Sequence, residues 1–267
     1  KSMYSKLRAS LRLRPRSGKR GYEKLQFCAR QAKRDGLRHF WVDTCCIDKK
    51  NLTELQRAIN SMFRWYRDAA KCYVFLPDVS HTGQDESDES PSWLPAFTCS
   101  VWFTRGWTLQ ELLAPSTVEF YSREGVRLGD RVEMQQHIHD VTKIPMRALS
   151  GAALVEFSID ERLSWANKRE TTLEEDRAYS MLGIFDIHLP LIYGEGYGNA
   201  LGRLKEKISS AQTGAVNHNR KVNHGPWSTV PFQRDPNFIP RESLHEIRRV
   251  FATPAACAAL VGLGGVG

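Results

Sequence analysis

Two carboxylates, Glu111 and Asp43, have the sequence context best suited to chemistry. Asp43 directly follows the apolar run His39-Phe40-Trp41-Val42, and Glu111 follows Trp107 by one helical turn. A carboxylate can stabilise positive charge that develops on a reacting substrate or can hold an attacking water molecule. Trp107 would share a helix face with Glu111 and could stack on a ring, while Arg105 could bind a phosphate.

Each of these residues also has a structural interpretation. Thr108 and Glu111 have the spacing of a T-x-x-E capping box, so Glu111 could serve only to cap a helix. Trp107 is of a type that often packs into a core, and Asp43 could hold the turn after its strand. Arg105 could pair with an acidic side chain instead of a substrate.

Cysteine and metal chemistry have little support in the sequence. Cys45 and Cys46 are adjacent, but no histidine is placed by sequence context to activate a thiol, so we expect buried, inert thiols. The six cysteines form no C-x-x-C pair, which leaves a structural zinc site unsupported. We expect no metal site and no required cofactor.

The order of predicted elements indicates an α/β fold. Helices are predicted over 22–35, from the capping box Asn51–Glu54 onward, and up to about residue 114. Apolar runs at 39–42, 72–76 and 118–121 predict strands that alternate with these helices. Such an order is typical of a short parallel sheet flanked by helices, with ligands bound at the carboxyl ends of the strands.

The chain after residue 128 is predicted to be mostly helical. Ser158 starts one helix, the pair Thr171 and Glu174 forms a capping box for another, and 197–210 is amphipathic. Residues 213–240 are rich in polar residues, Gly and Pro, which favours a linker. We expect Asp176 and Arg177 to form a structural ion pair.

Length, composition and charge narrow the class of protein. The 267 residues are 41% hydrophobic and 25% charged, which is typical of a folded domain and not of a disordered chain. No apolar run reaches the ~18 residues that span a bilayer, so we expect a cytoplasmic protein without a transmembrane segment. The net charge of +8 is concentrated in a basic leader, residues 1–20 and their neighbours, but no nucleic-acid-binding signature accompanies it.

The last residues contain half of a phosphate-binding motif. A strand-like run, Ala258-Ala259-Leu260-Val261, precedes a glycine-rich stretch with the G-x-x-x-x-G spacing of a P-loop. Its candidate nucleotide-binding residues are Gly262, Gly264, Gly265 and Gly267. The Lys and Ser or Thr that complete a P-loop are absent, so we expect ATP or ADP to bind only in a longer chain.

Three segments resemble the fungal heterokaryon-incompatibility (HET) domain over about residues 21–210. They are WVDTCCIDK at 41–49, WFTRGWTLQEL at 102–112 and EDRAYSMLG at 175–183, which YGEG at 193–196 follows. The tail from residue 241 resembles the start of an NB-ARC-type nucleotide-binding domain. In contrast, 4–10 does not match the Y-A-x-L-S-H-x-W strand with which HET domains usually begin, which predicts a missing first strand and an open sheet edge.

The resemblance implies the effector end of a NOD-like immune receptor that triggers cell death. HET domains are regarded as distant relatives of TIR domains, some of which cleave NAD⁺ with one glutamate. Glu111 matches that glutamate, so NAD⁺ becomes a candidate substrate, Asp43 a second catalytic candidate, and Trp107 and Arg105 candidate substrate contacts. The alternatives are a non-catalytic module that binds itself or other signalling proteins, and an inactive fragment.

Overall fold

The computed structural model describes residues 21–81, 91–216 and 257–261 of the chain. Its first half alternates strands and helices in the predicted order. The elements are α1 (Tyr22–Arg34), β1 (His39–Val42), α2 (Asp43–Cys46), α3 (Leu52–Arg67), β2 (Lys71–Phe75), α4 (Leu94–Thr98), α5 (Thr108–Leu113) and β3 (Val118–Tyr121). The α/β class predicted from the sequence is therefore confirmed.

The second half is mostly helical, as predicted. After β4 (Arg127–Asp130) come α6 (Gln135–Thr142), α7 (Met146–Leu149), α8 (Ile159–Ser164), α9 (Asp176–Tyr179), α10 (Gly196–Val216) and the strand β5 (Cys257–Val261). Short 3₁₀ turns lie at Val101–Thr104, Leu154–Glu156 and Leu182–Ile184. No helix in the described part of the chain is long and apolar enough to cross a membrane.

Five strands form one mixed sheet in the order β1-β5-β2-β3-β4. The pairs β1–β5, β5–β2 and β2–β3 are parallel, whereas β3 and β4 are antiparallel neighbours. Trp41 and Cys72 both lie opposite Ala259, so the C-terminal strand separates β1 from β2. The sequence predicted a strand at this C-terminal segment but not its place inside the first sheet.

Side chains that alternate along the strands divide the core between two faces of the sheet. On one face, α1 packs Phe27 and Cys28 against Tyr73 and Phe75. The other face carries the larger core, in which α3, α5 and the helical second half pack around Trp102 and further buried residues. Burial of this apolar area stabilises the fold by roughly 25 cal/mol per Å².

Capping residues account for where two of the predicted helices begin. The Asn51 side chain accepts a hydrogen bond from the Glu54 N–H at 3.1 Å, and Ser158 accepts one from the Glu161 N–H at 3.1 Å. Each bond satisfies an N–H that has no partner within its helix. The helices α3 and α8 therefore start where the sequence predicted them.

The predicted capping box at Thr171 and Glu174 was wrong. The Thr171 hydroxyl donates to the carbonyl oxygen of Leu173 at 2.6 Å, and no helix begins there. Glu174 instead accepts from the N–H of Tyr197 at 3.2 Å. The helix that follows, α9, spans only Asp176–Tyr179.

Candidate functional site

Glu111 lies in the interior of the larger core, on a helix whose six residues are all buried. Its side chain is 1% exposed. One carboxyl oxygen, Oε1, accepts a hydrogen bond from the Tyr66 hydroxyl at 3.1 Å. The other, Oε2, has no hydrogen-bond partner among the described residues, which is costly for a buried carboxyl group.

The surroundings of Glu111 raise its pKa well above the ordinary value. Burial is the largest cause, and the negative charge of Asp43 adds to it. Lys24, the Tyr66 hydrogen bond and the nearby Trp102 indole act in the opposite direction, but their effect on the pKa is smaller. The carboxyl group is therefore held in its neutral form to a higher pH than an exposed glutamate.

Asp43 lies where the sequence predicted it, directly after the carboxyl end of β1. It is the first residue of the short helix α2 and is 8% exposed. Its Oδ1 accepts a hydrogen bond from the Thr44 N–H at 2.7 Å, so it holds the turn after its strand. Burial is the largest cause of the raised Tyr66 pKa, and the charges of Glu111 and then Asp43 add to it, so both carboxyl groups act on one buried phenol.

Thr108 and Glu111 do not form the capping box that their spacing allowed. Trp107 is the residue that precedes the helix, and it makes no side-chain cap. The Thr108 hydroxyl lies 2.7 Å from the carbonyl oxygen of Trp102 and 2.8 Å from that of Arg105. Glu111 is thus free of the structural role that competed most directly with catalysis.

Arg169 is a buried cation near this site that the sequence analysis missed. Its Nη1 donates to the Thr108 hydroxyl at 2.7 Å and to the Arg105 carbonyl oxygen at 2.8 Å, and the residue is 3% exposed. Burial lowers its pKa to about 10, while the Glu111 charge acts to raise it. No motif marks Arg169, because its partners lie about 60 residues earlier in the chain.

The two predicted substrate contacts lie at the start of α5 with different surroundings. The Trp107 indole N–H donates to Oδ2 of Asp176 at 3.2 Å, and its half-buried ring packs on the core. Arg105 has a buried Nε without a hydrogen-bond partner among the described residues. The Trp107 N–H is therefore already satisfied, whereas the Arg105 Nε is unpartnered but closed to solvent.

The predicted ion pair between Asp176 and Arg177 is absent from the described residues. Asp176 accepts hydrogen bonds from Trp107 and, at 3.0 Å, from the Tyr193 hydroxyl. The Arg177 guanidinium instead lies over the Tyr197 ring, 4.4 Å from its centroid. The two neighbouring side chains thus have different partners. Asp176 joins Trp107, at the start of α5, to Tyr193, in the segment before α10.

The adjacent thiols are less buried than the sequence predicted. Cys45 is exposed and Cys46 is half-buried, with 3.9 Å between their sulfur atoms. The hydrogen bond with Cys46, then burial, raises the pKa of Cys45 above its usual range. A thiol in this state is a poor nucleophile, which agrees with the expectation of inertness.

A cavity of about 600 Å³ opens elsewhere, at the amino ends of β2 and β3. Neither Glu111 nor Asp43 lines it. No group of three or more acidic, His or Cys residues in the described ranges could hold a metal ion. The predicted nucleotide-binding glycines, Gly262, Gly264, Gly265 and Gly267, lie outside the described residues.

The sequence comparisons give the class of this domain. The family model of the heterokaryon incompatibility protein (HET) matches residues 17–98, which contain the first of the three segments above. The chain carries a domain of the heterokaryon-incompatibility family.

A relative of known name supports this assignment over a longer stretch. Vegetative incompatibility protein HET-E-1 of Podospora anserina is 64% identical over 190 residues, which cover 71% of this chain. The matched stretch is 14% of the length of that relative. No solved structure is significantly similar to the chain.

Proposed function

We propose that this chain is the effector domain of a fungal incompatibility receptor and that its output is cell death. The name of the 64% identical relative, a vegetative incompatibility protein, supports the incompatibility role. The chain spans a small part of that relative, so sensing and assembly would belong to segments beyond the matched stretch. Localisation in the cytoplasm is part of the same proposal.

We propose that the chemical output is hydrolysis of NAD⁺, with Glu111 as the central carboxyl group. The observation that carries this proposal is the buried Glu111 carboxyl, which has an unpartnered Oε2, a raised pKa and Asp43 as a second acidic neighbour. Strongly shifted carboxyl groups of this kind cluster at active sites, because burial of an unsatisfied acid costs stability. Glu111 does not offset this cost by capping its helix, which has no side-chain cap.

The proposed reaction follows from the charges that it creates. The bond between the ribose C1′ and the nicotinamide nitrogen breaks, and its electron pair neutralises the pyridinium ring. Positive charge develops on the ribose, where an ionised Glu111 would stabilise it. A water molecule then adds to C1′ and loses a proton, for which Asp43 is the candidate acceptor, and the products are nicotinamide and ADP-ribose.

Because Glu111 is buried, we propose that the enzyme is inactive in this conformation. A carboxyl group that is 1% exposed cannot meet a substrate, and its raised pKa disfavours the ionised form that would stabilise a cation. A rearrangement that admits water and substrate would lower the pKa of Glu111 and ionise it. Self-association in the receptor is the event that we propose for this opening, with Arg105 as the contact for a substrate phosphate and Trp107 for its ring.

A non-catalytic signalling module is the second candidate function. The Trp107 N–H is already bound to Asp176, and Glu111 is closed to solvent, as expected for residues with purely structural roles. In this case the domain would transmit its signal by binding other copies or signalling proteins. An inactive fragment would neither cleave NAD⁺ nor bind such partners.

The test is NAD⁺ consumption by the purified chain at high local concentration on a surface. Nicotinamide release is measured for the wild type, Glu111→Gln, Asp43→Asn and the control Glu206→Gln, which changes an exposed carboxylate on α10. We expect release from the wild type and control, almost none from Glu111→Gln, and a reduced rate from Asp43→Asn. Equal rates in the wild type and Glu111→Gln would remove Glu111 from the mechanism, and no release from any variant would favour the signalling module.

A further inference from the structure

The cavity of about 600 Å³ lies at the amino ends of the strands β2 and β3, whereas Asp43 follows the carboxyl end of β1. Its walls come from the last turn of α3, the segment between α5 and β3, residues 150–155 and residues 183–188. Arg67 and Ser116 lie just ahead of β2 and β3, whereas Asp43 follows β1. Because these strands are parallel, the cavity and the Glu111–Asp43 site belong to opposite ends of the sheet.

Arg131 is a buried cation in the wall of this cavity. It is 5% exposed, and its Nη1 and Nη2 donate to the carbonyl oxygens of Leu112 at 2.6 Å and Ser116 at 3.3 Å. Its Nε has no hydrogen-bond partner among the described residues, and no carboxylate there forms an ion pair with it. The direct hydrogen-bond partners of this buried cation are therefore carbonyl oxygens, while the charge of Asp130 acts on it without an ion pair.

Arg162 repeats this arrangement from the other wall. It is 8% exposed, donates through Nη1 to the Ile184 carbonyl oxygen at 3.2 Å, and lies over the Phe185 ring at 4.5 Å. Its Nε also has no hydrogen-bond partner in the described part of the chain. Two nearly buried guanidinium groups thus line one cavity without a carboxylate bound to either.

The remaining residues that line the cavity also carry a net positive charge. Arg64 and Arg67 extend the positive charge to the mouth, and Arg67 forms only an exposed ion pair with Asp68 at 2.9 Å. Asp186 is the one carboxylate among the residues that line the cavity. Four arginines against one carboxylate make this a site for an anion, because guanidinium groups match phosphate and carboxylate geometry.

We propose that this cavity binds an organic phosphate of about nucleotide size. Its volume falls within the range of about 300–1,000 Å³ that small-molecule sites occupy and exceeds the need of a single oxyanion. The walls also offer apolar surface for the organic part of the ligand, from Phe63, Leu113, Leu154 and Ile187. The phosphate would compensate the charges of Arg131 and Arg162, and the site is independent of the NAD⁺ chemistry proposed for Glu111.

The test compares phosphorylated probes with their neutral counterparts by calorimetric titration of the full chain. The probes are AMP and fructose 1,6-bisphosphate, with adenosine, fructose and inorganic phosphate as references. We expect one of the two organic phosphates to bind at one site per chain, at least about tenfold more tightly than its neutral counterpart and inorganic phosphate. The same affinity is expected for Glu111→Gln, which separates this proposal from the proposed catalytic function.

Variants at the mouth test the location without disturbing the bonds of the buried arginines. Ala153 is an exposed lining residue, so Ala153→Glu adds a negative charge to the cavity and Ala153→Gln adds the same bulk without charge. We expect Ala153→Glu to weaken binding at least about tenfold and Ala153→Gln to have a much smaller effect. Arg123→Gln removes an exposed arginine elsewhere and serves as the charge control.

Three results would overturn the proposal. One is that neither organic phosphate binds to a well-folded chain. Another is that Ala153→Glu and Ala153→Gln bind equally well, since binding would then come from other basic residues of the chain. The third is equal affinity for a phosphate and its neutral counterpart, which would show that the arginines do not recognise the anion.

Discussion

The Tyr66 hydroxyl donates a 3.1 Å hydrogen bond to Oε1 of Glu111 and thereby joins α3 to α5 inside the larger core. Both side chains are essentially closed to solvent. Burial, then the charges of Glu111 and Asp43, raises the pKa of Tyr66 well above its usual range, so the phenol stays protonated and remains the donor. This contact connects the stability of the fold to the protonation state of the candidate catalytic residue.

Tyr66→Phe is expected to destabilise the chain by about 1–3 kcal/mol, because the substitution leaves both Glu111 oxygens without a hydrogen bond. Urea unfolding of the wild type, Tyr66→Phe, Glu111→Ala and the double variant forms a double-mutant cycle, since alanine removes the acceptor of the hydrogen bond. We expect a coupling free energy of about 1 kcal/mol between the two residues. A cost for Tyr66→Phe that is the same in both backgrounds would mean that the hydrogen bond contributes nothing.

Glu111→Gln is expected to increase stability at neutral pH, because glutamine stays neutral where the buried carboxyl group would have to ionise. The folded wild type keeps a proton on Glu111 above the ordinary pKa of 4.5, since burial and Asp43 oppose ionisation. The folded state then binds more protons than the unfolded state, so the free energy of unfolding falls as pH rises above 4.5. Lys24, Tyr66 and Arg169 face the same carboxyl group and reduce this effect without reversing it.

The measurement for this variant is urea unfolding between pH 4.5 and 8. The advantage of Glu111→Gln over the wild type should grow with pH, because glutamine has no proton to lose. Glu206→Gln, at an exposed position, should follow the wild-type curve throughout. Parallel curves for Glu111→Gln and the wild type would show that the Glu111 pKa is not raised in the folded protein.

Local signals in the sequence predicted the strands and the principal helices of the first half. Apolar runs predicted β1, β2 and β3, and the Asn51 cap predicted the start of α3. The rule that ligands bind at the carboxyl ends of parallel strands placed Asp43 correctly, and the HET resemblance singled out Glu111. The charges of both acids act on the buried Tyr66, and their catalytic pairing stays a prediction.

The features that the sequence did not predict depend on contacts between residues that are far apart in the chain. Tyr66 and Glu111 are 45 positions apart in the sequence, and Arg169 and Thr108 are 61 apart. No local sequence pattern can therefore predict either hydrogen bond. The arginine-lined cavity is formed by six separate segments, and only the folded chain brings them together. The Thr171 capping box was wrong because the hydroxyl donates to the carbonyl oxygen of Leu173, and the helix begins only at Asp176.

Gly183→Ala is expected to destabilise the fold by about 2 kcal/mol or more, because an added methyl group would overlap the Cβ of Phe63. Neither atom belongs to the flexible end of a side chain, so the backbone around residue 183 would have to move. Gly202→Ala is the matched control, since a methyl group there meets no other atom within 4 Å. Because Gly202 lies in α10, its change to alanine should stabilise by up to about 1 kcal/mol, and equal effects of the two changes on thermal unfolding would contradict this packing.

Lys71→Met is expected to destabilise the chain by about 1–3 kcal/mol, because Lys71 is shared between two partly buried carboxylates. Its Nζ lies 3.0 Å from Oδ2 of Asp35 and 3.1 Å from Oε1 of Glu119. Burial raises the pKa of Asp35, but the hydrogen bonds from Tyr73 and Lys71 outweigh it and lower the pKa overall. This stabilisation is present above the unfolded pKa of Asp35 and is lost as pH falls through the folded value, so the cost of Lys71→Met should shrink below about pH 4.

The exposed pair of Arg67 and Asp68 provides the control for Lys71→Met. Its atoms are 2.9 Å apart, but both side chains are more than half exposed, so Arg67→Gln should change stability by less than about 0.5 kcal/mol. Urea unfolding at pH 7 and pH 3.5 measures both variants. Costs that are equal for the two variants, or that do not depend on pH for Lys71→Met, would show that Lys71 does not hold α1 to the sheet through these charges. A larger cost for Lys71→Met would reflect both the greater burial of its partners and their number, since Lys71 pairs with two carboxylates and Arg67 with one.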